Sequence, residues 1–241
     1  MATKLDILVM AVHPDDAELG CSGTILKQIS LGYKVGIVDF TRGELGTRGT
    51  AEIRLMESNA ATKILGLSAR ENLNFRDGFF KNDEEHKLKL VEVIRRYQPD
   101  IILANAIEDR HPDHGRSSKL AVDACFLAGL RMIETFEKDG SPQMEWRPKY
   151  VYHYIQDRYI EPDFVVDISN FWDIKEKAIR AFKSQFFDPT SSDPASYISS
   201  PDFLEFVEAR SREMGHKIGV KFGEGFTSYR MLGVNDLMDL K

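Results

Sequence analysis

Two short stretches of this 241-residue chain concentrate the side chains that can do chemistry. The first is His13-Pro14-Asp15-Asp16, with Glu18 just beyond. The second is Asp109-Arg110-His111-Pro112-Asp113-His114. Imidazole nitrogen and carboxylate oxygen are ligand atoms of zinc, and a catalytic zinc site takes three protein ligands and keeps one position open for water. His13 and Asp16 stand three residues apart, so a turn between a strand and a helix can aim both at one ion, and His114 can supply a third ligand. Asp15 then stands beside the ion, placed to take a proton from water. His111 is left as a donor to a developing oxyanion, oriented by Asp113 or another carboxylate. Metal, base and oxyanion donor are the requirements of metal-assisted amide hydrolysis. Another divalent ion such as Fe2+ suits the same nitrogen and oxygen donors.

Either motif alone reads as a helix N-cap with a solvated first turn, because Asp and Pro favour those positions. The two together carry the metal reading. Glu18, two residues past Asp16 on a helix, points away from the ion. Cys21 and Cys125 read as small buried hydrophobes. His86, His153 and His216 have no partner motif and read as surface or satisfied core residues. Arg48, Arg54 and Arg110 lie near the motifs, and a planar guanidinium recognises carboxylates. The expected substrate is therefore a small anionic molecule. Gly43, Gly46 and Gly49 match neither dinucleotide nor P-loop spacing and let a loop bend around the site.

These motifs need elements to hold them. Leu5 to Val12 is a continuous apolar run, the pattern of a strand buried on both faces. Helices follow over Ala17–Leu31, Ala51–Leu65, Glu84–Tyr97 and His114–Leu130, alternating with strands over Val35–Phe40, Asn72–Phe75 and Ile101–Asn105. This alternation predicts a Rossmann-like, doubly wound α/β fold with a mostly parallel sheet and helices on both faces. Strands one and four are neighbours in a 3-2-1-4-5 order, so both motifs meet beyond their carboxyl ends. The C-terminal third is less regular. It holds strands over Tyr150–Ile155 and Phe164–Ile168, helices over Asp173–Phe187 and Asp202–Gly215, and an irregular Gly219–Gly225. The Ser- and Pro-rich Asp188–Pro201 reads as a rim or lid carrying Tyr197. No repeat or linker divides the chain, so residues 1–241 are expected to form one domain.

Composition narrows the function classes. With 32 Lys and Arg against 38 Asp and Glu, the net charge is -6, which argues against nucleic acid and anionic lipid as partners. A chain that is 42% hydrophobic and 29% charged is not a disordered one. No apolar run approaches the roughly 18–20 residues of a membrane span. Two cysteines cannot build a disulfide framework, and a cytoplasmic setting is expected.

The string HPDDAELGCSGT after the first strand and HPDH after the fourth resemble the PIG-L/LmbE-like family of zinc N-acetylglucosamine deacetylases. TRGELGTRG (residues 41–49) and RLME (54–57) are similar to that family as well, and the resemblance runs through essentially the whole chain. More narrowly, the chain resembles the N-acetylglucosaminyl-malate deacetylases of bacillithiol biosynthesis. By motif position, the resemblance implies Zn2+ held by His13, Asp16 and His114, with Asp15 as general base. It also implies His111 as oxyanion donor with Asp113 as its carboxylate partner. It further implies Arg54 against substrate hydroxyls, Arg110 at the malate end and Tyr197 as a mobile active-site residue. Relatives of this kind assemble as homo-oligomers, trimers or hexamers, and the same is expected here.

Overall fold

The computed structural model describes residues 4–239. β1 (Ile7–Ala11) is buried along its whole length and lies between two parallel neighbours, β2 (Val35–Thr41) and β4 (Ile101–Ala104). The continuous apolar run has this cause: Ile7, Val9 and Ala11 face one layer while Leu8 and Met10 face the other. On the first face pack Ala17, Cys21 and Ile25 of α1 (Asp16–Ser30). The second face is covered by Leu90, Val91 and Ile94 of α3 (Glu84–Tyr97) and by Leu120, Ala121 and Ala124 of α4 (Pro112–Ala128). Phe40 is fully buried there, edge-on to Phe75 and Phe80; removing such a ring from water is worth about 1.5–3 kcal/mol.

The full sheet has the order β3-β2-β1-β4-β5-β7-β6, so the expected 3-2-1-4-5 sequence is present and two strands extend it. β3 (Ala69–Phe75) is an edge strand whose polar Arg70, Glu71 and Asn72 conceal its length; it begins three residues before the expected start. β5 (Tyr150–Tyr154) is parallel to β4, whereas β7 (Gly223–Thr227) runs antiparallel between β5 and β6 (Phe164–Asp167). α2 (Ala51–Leu65) starts at Thr50, whose side chain accepts from the Ile53 N–H, and stops at Gly66 in the left-handed region, φ 71°.

Two expectations for the C-terminal third are corrected. Residues 219–225 are not irregular throughout, because Gly223 and Gly225 belong to buried β7. Glycine is required there by close approach: a Cβ on Gly223 would sit 2.9 Å from the Gly215 nitrogen of α6 (Phe203–Lys217). Composition thus imitates a loop where a helix presses on a strand. The helix expected over Asp173–Phe187 ends early, as α5 (Trp172–Ile179). Beyond it the Ser184 N–H and hydroxyl bind the Glu57 carboxylate of α2 at 2.6 and 2.8 Å, while Phe182 and Phe186 pack with Ala61 and Phe203. These tertiary bonds replace the helical ladder. Among the described residues, no helix is long and apolar enough to cross a membrane.

Candidate active site

β1 and β4 pair in parallel as far as Met10 and Ala104, and the loops that leave their carboxyl ends run side by side. At the first, Asp16 opens α1. Its Oδ2 accepts from the His13 N–H at 2.9 Å and from Asn105 Nδ2 at 3.2 Å, and its Oδ1 accepts from Gln156 Nε2 at 3.0 Å. Burial would raise the Asp16 pKa, but the adjoining His114 and His13 hold it well below the usual carboxylate range. α1 is itself interrupted at Cys21 (φ -147°). The freed Gly23 and Thr24 N–H groups donate to Glu224 of β7 at 2.9 and 2.7 Å, and Glu224 is in turn paired with buried Lys175 at 2.6 Å.

Both imidazoles converge on Asp16. His13 Nδ1 lies 3.4 Å from Oδ2, and His114 Nε2 lies 3.1 Å from Oδ1. The far nitrogen of each ring meets a second carboxylate: His13 Nε2 to Asp77 Oδ1 at 3.0 Å, His114 Nδ1 to Asp109 Oδ2 at 2.5 Å. A carboxylate on the outer nitrogen fixes the tautomer that turns the inner lone pair toward a metal. Burial alone would lower both histidine pKa values. The surrounding carboxylates more than reverse this, putting His114 at about 9 and His13 well above its ordinary value. A cage that draws positive charge between two imidazoles and a carboxylate fits a divalent cation.

Asp15 stands beside this cage. Its backbone is at φ 122°, a region costly for any residue with a side chain, and Arg54 Nη2 holds its carboxylate at 2.9 Å while also donating to the Pro14 carbonyl. Burial pushes the Asp15 pKa up to about 7 despite that guanidinium. His111 is the N-cap of α4, and its Nδ1 accepts from the Asp113 N–H at 3.2 Å. The proton of the neutral ring therefore sits on Nε2. Burial, together with the charges of His13 and His114, lowers its pKa. A His111 nitrogen lies within 4.8 Å of His13 and His114 nitrogens, but its N-cap bond occupies Nδ1, whereas Asp16 reaches both other rings.

The structure brings His13, Asp15, Asp16, Arg54, Arg110, His111 and His114 around one cavity of about 280 Å³. Two expectations need revision. Asp113 is not the carboxylate partner of His111: only its backbone N–H touches that ring. Its carboxylate accepts from the Gly78 N–H at 2.9 Å and Arg116 at 2.7 Å, and lies 3.7 Å from His13 Nε2. Helix capping, not carboxylate pairing, orients His111. Arg48 does not line the cavity; it is buried, with Nε on the Ser184 carbonyl at 3.0 Å, and ties the glycine loop to residues 184–185. Tyr197 stands exposed at the rim, in a short 3-10 turn (Tyr197–Ser199). Its hydroxyl donates to Asp157 Oδ1 at 3.0 Å, and the Arg110 guanidinium covers its ring at 4.2 Å.

Glu18 points away from the cage, as the helical spacing predicts, and pairs with Arg70 at 2.6 Å. Cys21 and Cys125 are buried and free. Sequence reasoning missed Asp77, Asn105, Gln156 and Asp157. Asn105 directly follows β4, and Gln156 and Asp157 lie just past β5. Polar residues immediately beyond parallel strands were the available signal. Asp77 gave none, since it reaches the site along a loop.

The family described as PIG-L: GlcNAc-PI de-N-acetylase matches residues 8–125, which include both motifs. The crystal structure of the conserved protein TT1542 from Thermus thermophilus superposes with a TM-score of 0.84 at 39% identity, over 97% of this chain and 98% of that one. The chain belongs to the PIG-L family. PIG-L membership places it among the deacetylases, hydrolases of amide bonds. Diacetylchitobiose deacetylase of Thermococcus kodakarensis is 29% identical over 75% of this chain and 70% of its own length. A probable N-acetyl-alpha-D-glucosaminyl L-malate deacetylase 2 of Bacillus subtilis is 28% identical over 76% of this chain and 84% of its own. Deacetylases of the N-acetylglucosaminyl L-malate type are thus distant relatives, at 26–28% identity.

Proposed function

We propose that this chain hydrolyses the acetamide of an N-acetylglucosaminyl conjugate with the help of one divalent ion, zinc. The observation that carries the proposal is the Asp16 carboxylate within 3.4 Å of two imidazoles, each backed by a further carboxylate, with Asp15 alongside. His13, Asp16 and His114 would hold the ion; Fe2+ suits the same donors. Bound zinc acidifies water and polarises a carbonyl oxygen.

The chain's own groups supply the proton chemistry. Asp15, buried and pushed up to about 7, takes the proton of the attacking water at neutral pH. Arg54 keeps its carboxylate aimed. The Nε2–H of neutral His111 donates to the carbonyl oxygen as that oxygen gains charge. On collapse the proton held by Asp15 passes to the amide nitrogen, the C–N bond breaks, and acetate and a free glucosaminyl amine result. Asp113 acts on the cage through His13 and Gly78 instead of through His111.

Two aglycones compete. The sequence resemblance favours the L-malate conjugate, with Arg110 on its carboxylates, and the Bacillus relative supports it. A short chitooligosaccharide is supported by the Thermococcus relative and by Arg110 Nε already facing Asp157 Oδ2 at 3.4 Å. We favour the neutral sugar on that pairing. Acetate release from N,N'-diacetylchitobiose, N-acetylglucosaminyl L-malate and free N-acetylglucosamine, with metal-loaded and chelator-stripped protein, tests the reading. Metal-dependent release from at least one of them is expected. Protein with verified bound metal that releases acetate from none of them refutes it.

A further inference from the structure

Four side chains from four separate elements meet at the cavity: Arg110, Asp157 and Arg210 line it, and Tyr197 packs beside them. Arg110 comes from the loop after β4, Asp157 from just past β5, Tyr197 from the Ser- and Pro-rich segment and Arg210 from α6. Asp157 is the common partner. Its Oδ1 accepts from the Tyr197 hydroxyl at 3.0 Å, and its Oδ2 lies 3.4 Å from Arg110 Nε. Its main-chain oxygen accepts from Arg210 Nη2. Arg110 is further fixed by the face of Tyr197, 4.2 Å away. Asp109, next along the same loop, is committed to His114 and to the Arg158 N–H, and Arg158 pairs with Glu108 at 2.6 Å.

We propose that Asp157 selects the part of the substrate beyond the reacting sugar: by engaging Arg110 and Tyr197, it makes the mouth a subsite for a neutral, hydroxyl-bearing group, a second sugar, and against a carboxylate-bearing one. The proposal rests on the deacetylase reading above and names the substrate class for the same site. A free arginine at a cavity mouth attracts carboxylates through its planar fork. Here an internal carboxylate already lies 3.4 Å from the Nε of that guanidinium. A substrate carboxylate reaching Arg110 meets Asp157 as a like charge, and discrimination of this kind works through the repulsive element as much as the attractive one. A sugar hydroxyl meets no such repulsion. It can donate to Asp157 and accept from the Nη groups of Arg110, the two polarities a hydroxyl satisfies at once.

The test compares binding of chitobiose and glucosaminyl L-malate, the deacetylated forms, to metal-loaded wild type, Asp157→Asn and Asp157→Asn/Arg110→Gln by calorimetric titration. The kcat/KM ratio for the two acetylated substrates is measured alongside. Wild type is expected to favour the neutral disaccharide by about tenfold. Asp157→Asn removes the charge and keeps an acceptor for Tyr197, and should move the ratio about tenfold or more toward the malate conjugate; the double variant should abolish that gain. Wild-type preference for the malate conjugate, or a ratio moved by less than about twofold in Asp157→Asn, overturns the assignment. Absence of acetate from both substrates and from free N-acetylglucosamine would refute the deacetylase reading, and the binding ratio would still decide the role of Asp157.

Discussion

Replacing Asp109 by asparagine should weaken metal binding without unfolding the protein. The Asp109 Oδ2 lies 2.5 Å from His114 Nδ1, and its Oδ1 accepts from the Arg158 N–H at 2.6 Å. An asparagine keeps the second bond by turning its oxygen to Arg158. Its amide then faces Nδ1 as a donor, which drives the ring proton to Nε2, the nitrogen aimed at Asp16. Burial lowers the affinity of His114 for positive charge, yet the net effect of its surroundings raises the pKa from 6.5 to about 9. That rise corresponds to about 3 kcal/mol in favour of positive charge on the ring. The charge of Asp16 and the ring N–H bonds that Asp109 and Asp16 accept supply it. Loss of the Asp109 charge and the misplaced ring proton both act against a cation on the inner nitrogen. Loss of a partner on a ligand's outer nitrogen commonly costs about 10–100-fold. Competition against a chromophoric zinc chelator reads the constant directly, with thermal unfolding as the check on folding. A folded Asp109→Asn protein whose zinc affinity stays within about twofold of wild type would refute the assignment of Asp109 as the group that orients His114.

Other outcomes follow from the same geometry. Asp15→Asn should retain metal by elemental analysis and lose about 10²–10⁴-fold in turnover, since proton transfer by a positioned base contributes that much; turnover near wild type would remove Asp15 from the chemistry. Lys175→Met leaves Glu224 buried without its cation, and breaking a buried pair costs about 3–5 kcal/mol; an unchanged urea midpoint would contradict the clamp on α1. Arg48→Ala should lower thermal stability while leaving KM for the acetylated sugar unchanged, because its guanidinium braces Ser184 away from the cavity; a large rise in KM alone would return Arg48 to substrate binding. Burial holds the His153 pKa below its ordinary 6.5. The unfolded chain therefore takes up this proton at a higher pH than the folded one, so the contribution is complete above about 6.5 and is lost as pH falls. At about pH 5.5 the loss reaches at most about 1.4 kcal/mol, and His153→Gln should lack this part of the acid slope in denaturant titrations.

The N-terminal half of the fold was legible because each of its signals is local. A run such as Leu5–Val12 has one meaning in a parallel sheet, and Thr50 and Gly66 mark the ends of α2 in the residues themselves. The site was legible to the same extent, since the turn beyond β1 and the cap of α4 are written in contiguous motifs. What escaped depended on partners distant in sequence. β7 is a strand because Gly215 and Gly223 let a helix press on it, and α5 ends because Glu57 binds Ser184. The motif resemblance implies Asp113 as the partner of His111, whereas the cap geometry sends its carboxylate to Arg116 and Gly78. Asp77 and Asp157 lie outside any motif and acquire their meaning only when strands and loops are brought together.

The interruption of α1 has a bearing on the order in which the molecule is made. Every residue assigned to the ion lies at or before His114 and leaves the ribosome early. The helix that carries Asp16 is held across its break by Glu224, which emerges long after all three ligands, and the Asp16 carboxylate rests on Gln156, which emerges after both motifs. A nascent chain that has completed α4 therefore displays all three ligands without the fixtures that set their spacing. Truncation just before β7 is expected to keep His13, Asp16 and His114 and to remove Glu224, the fixture across the break in α1.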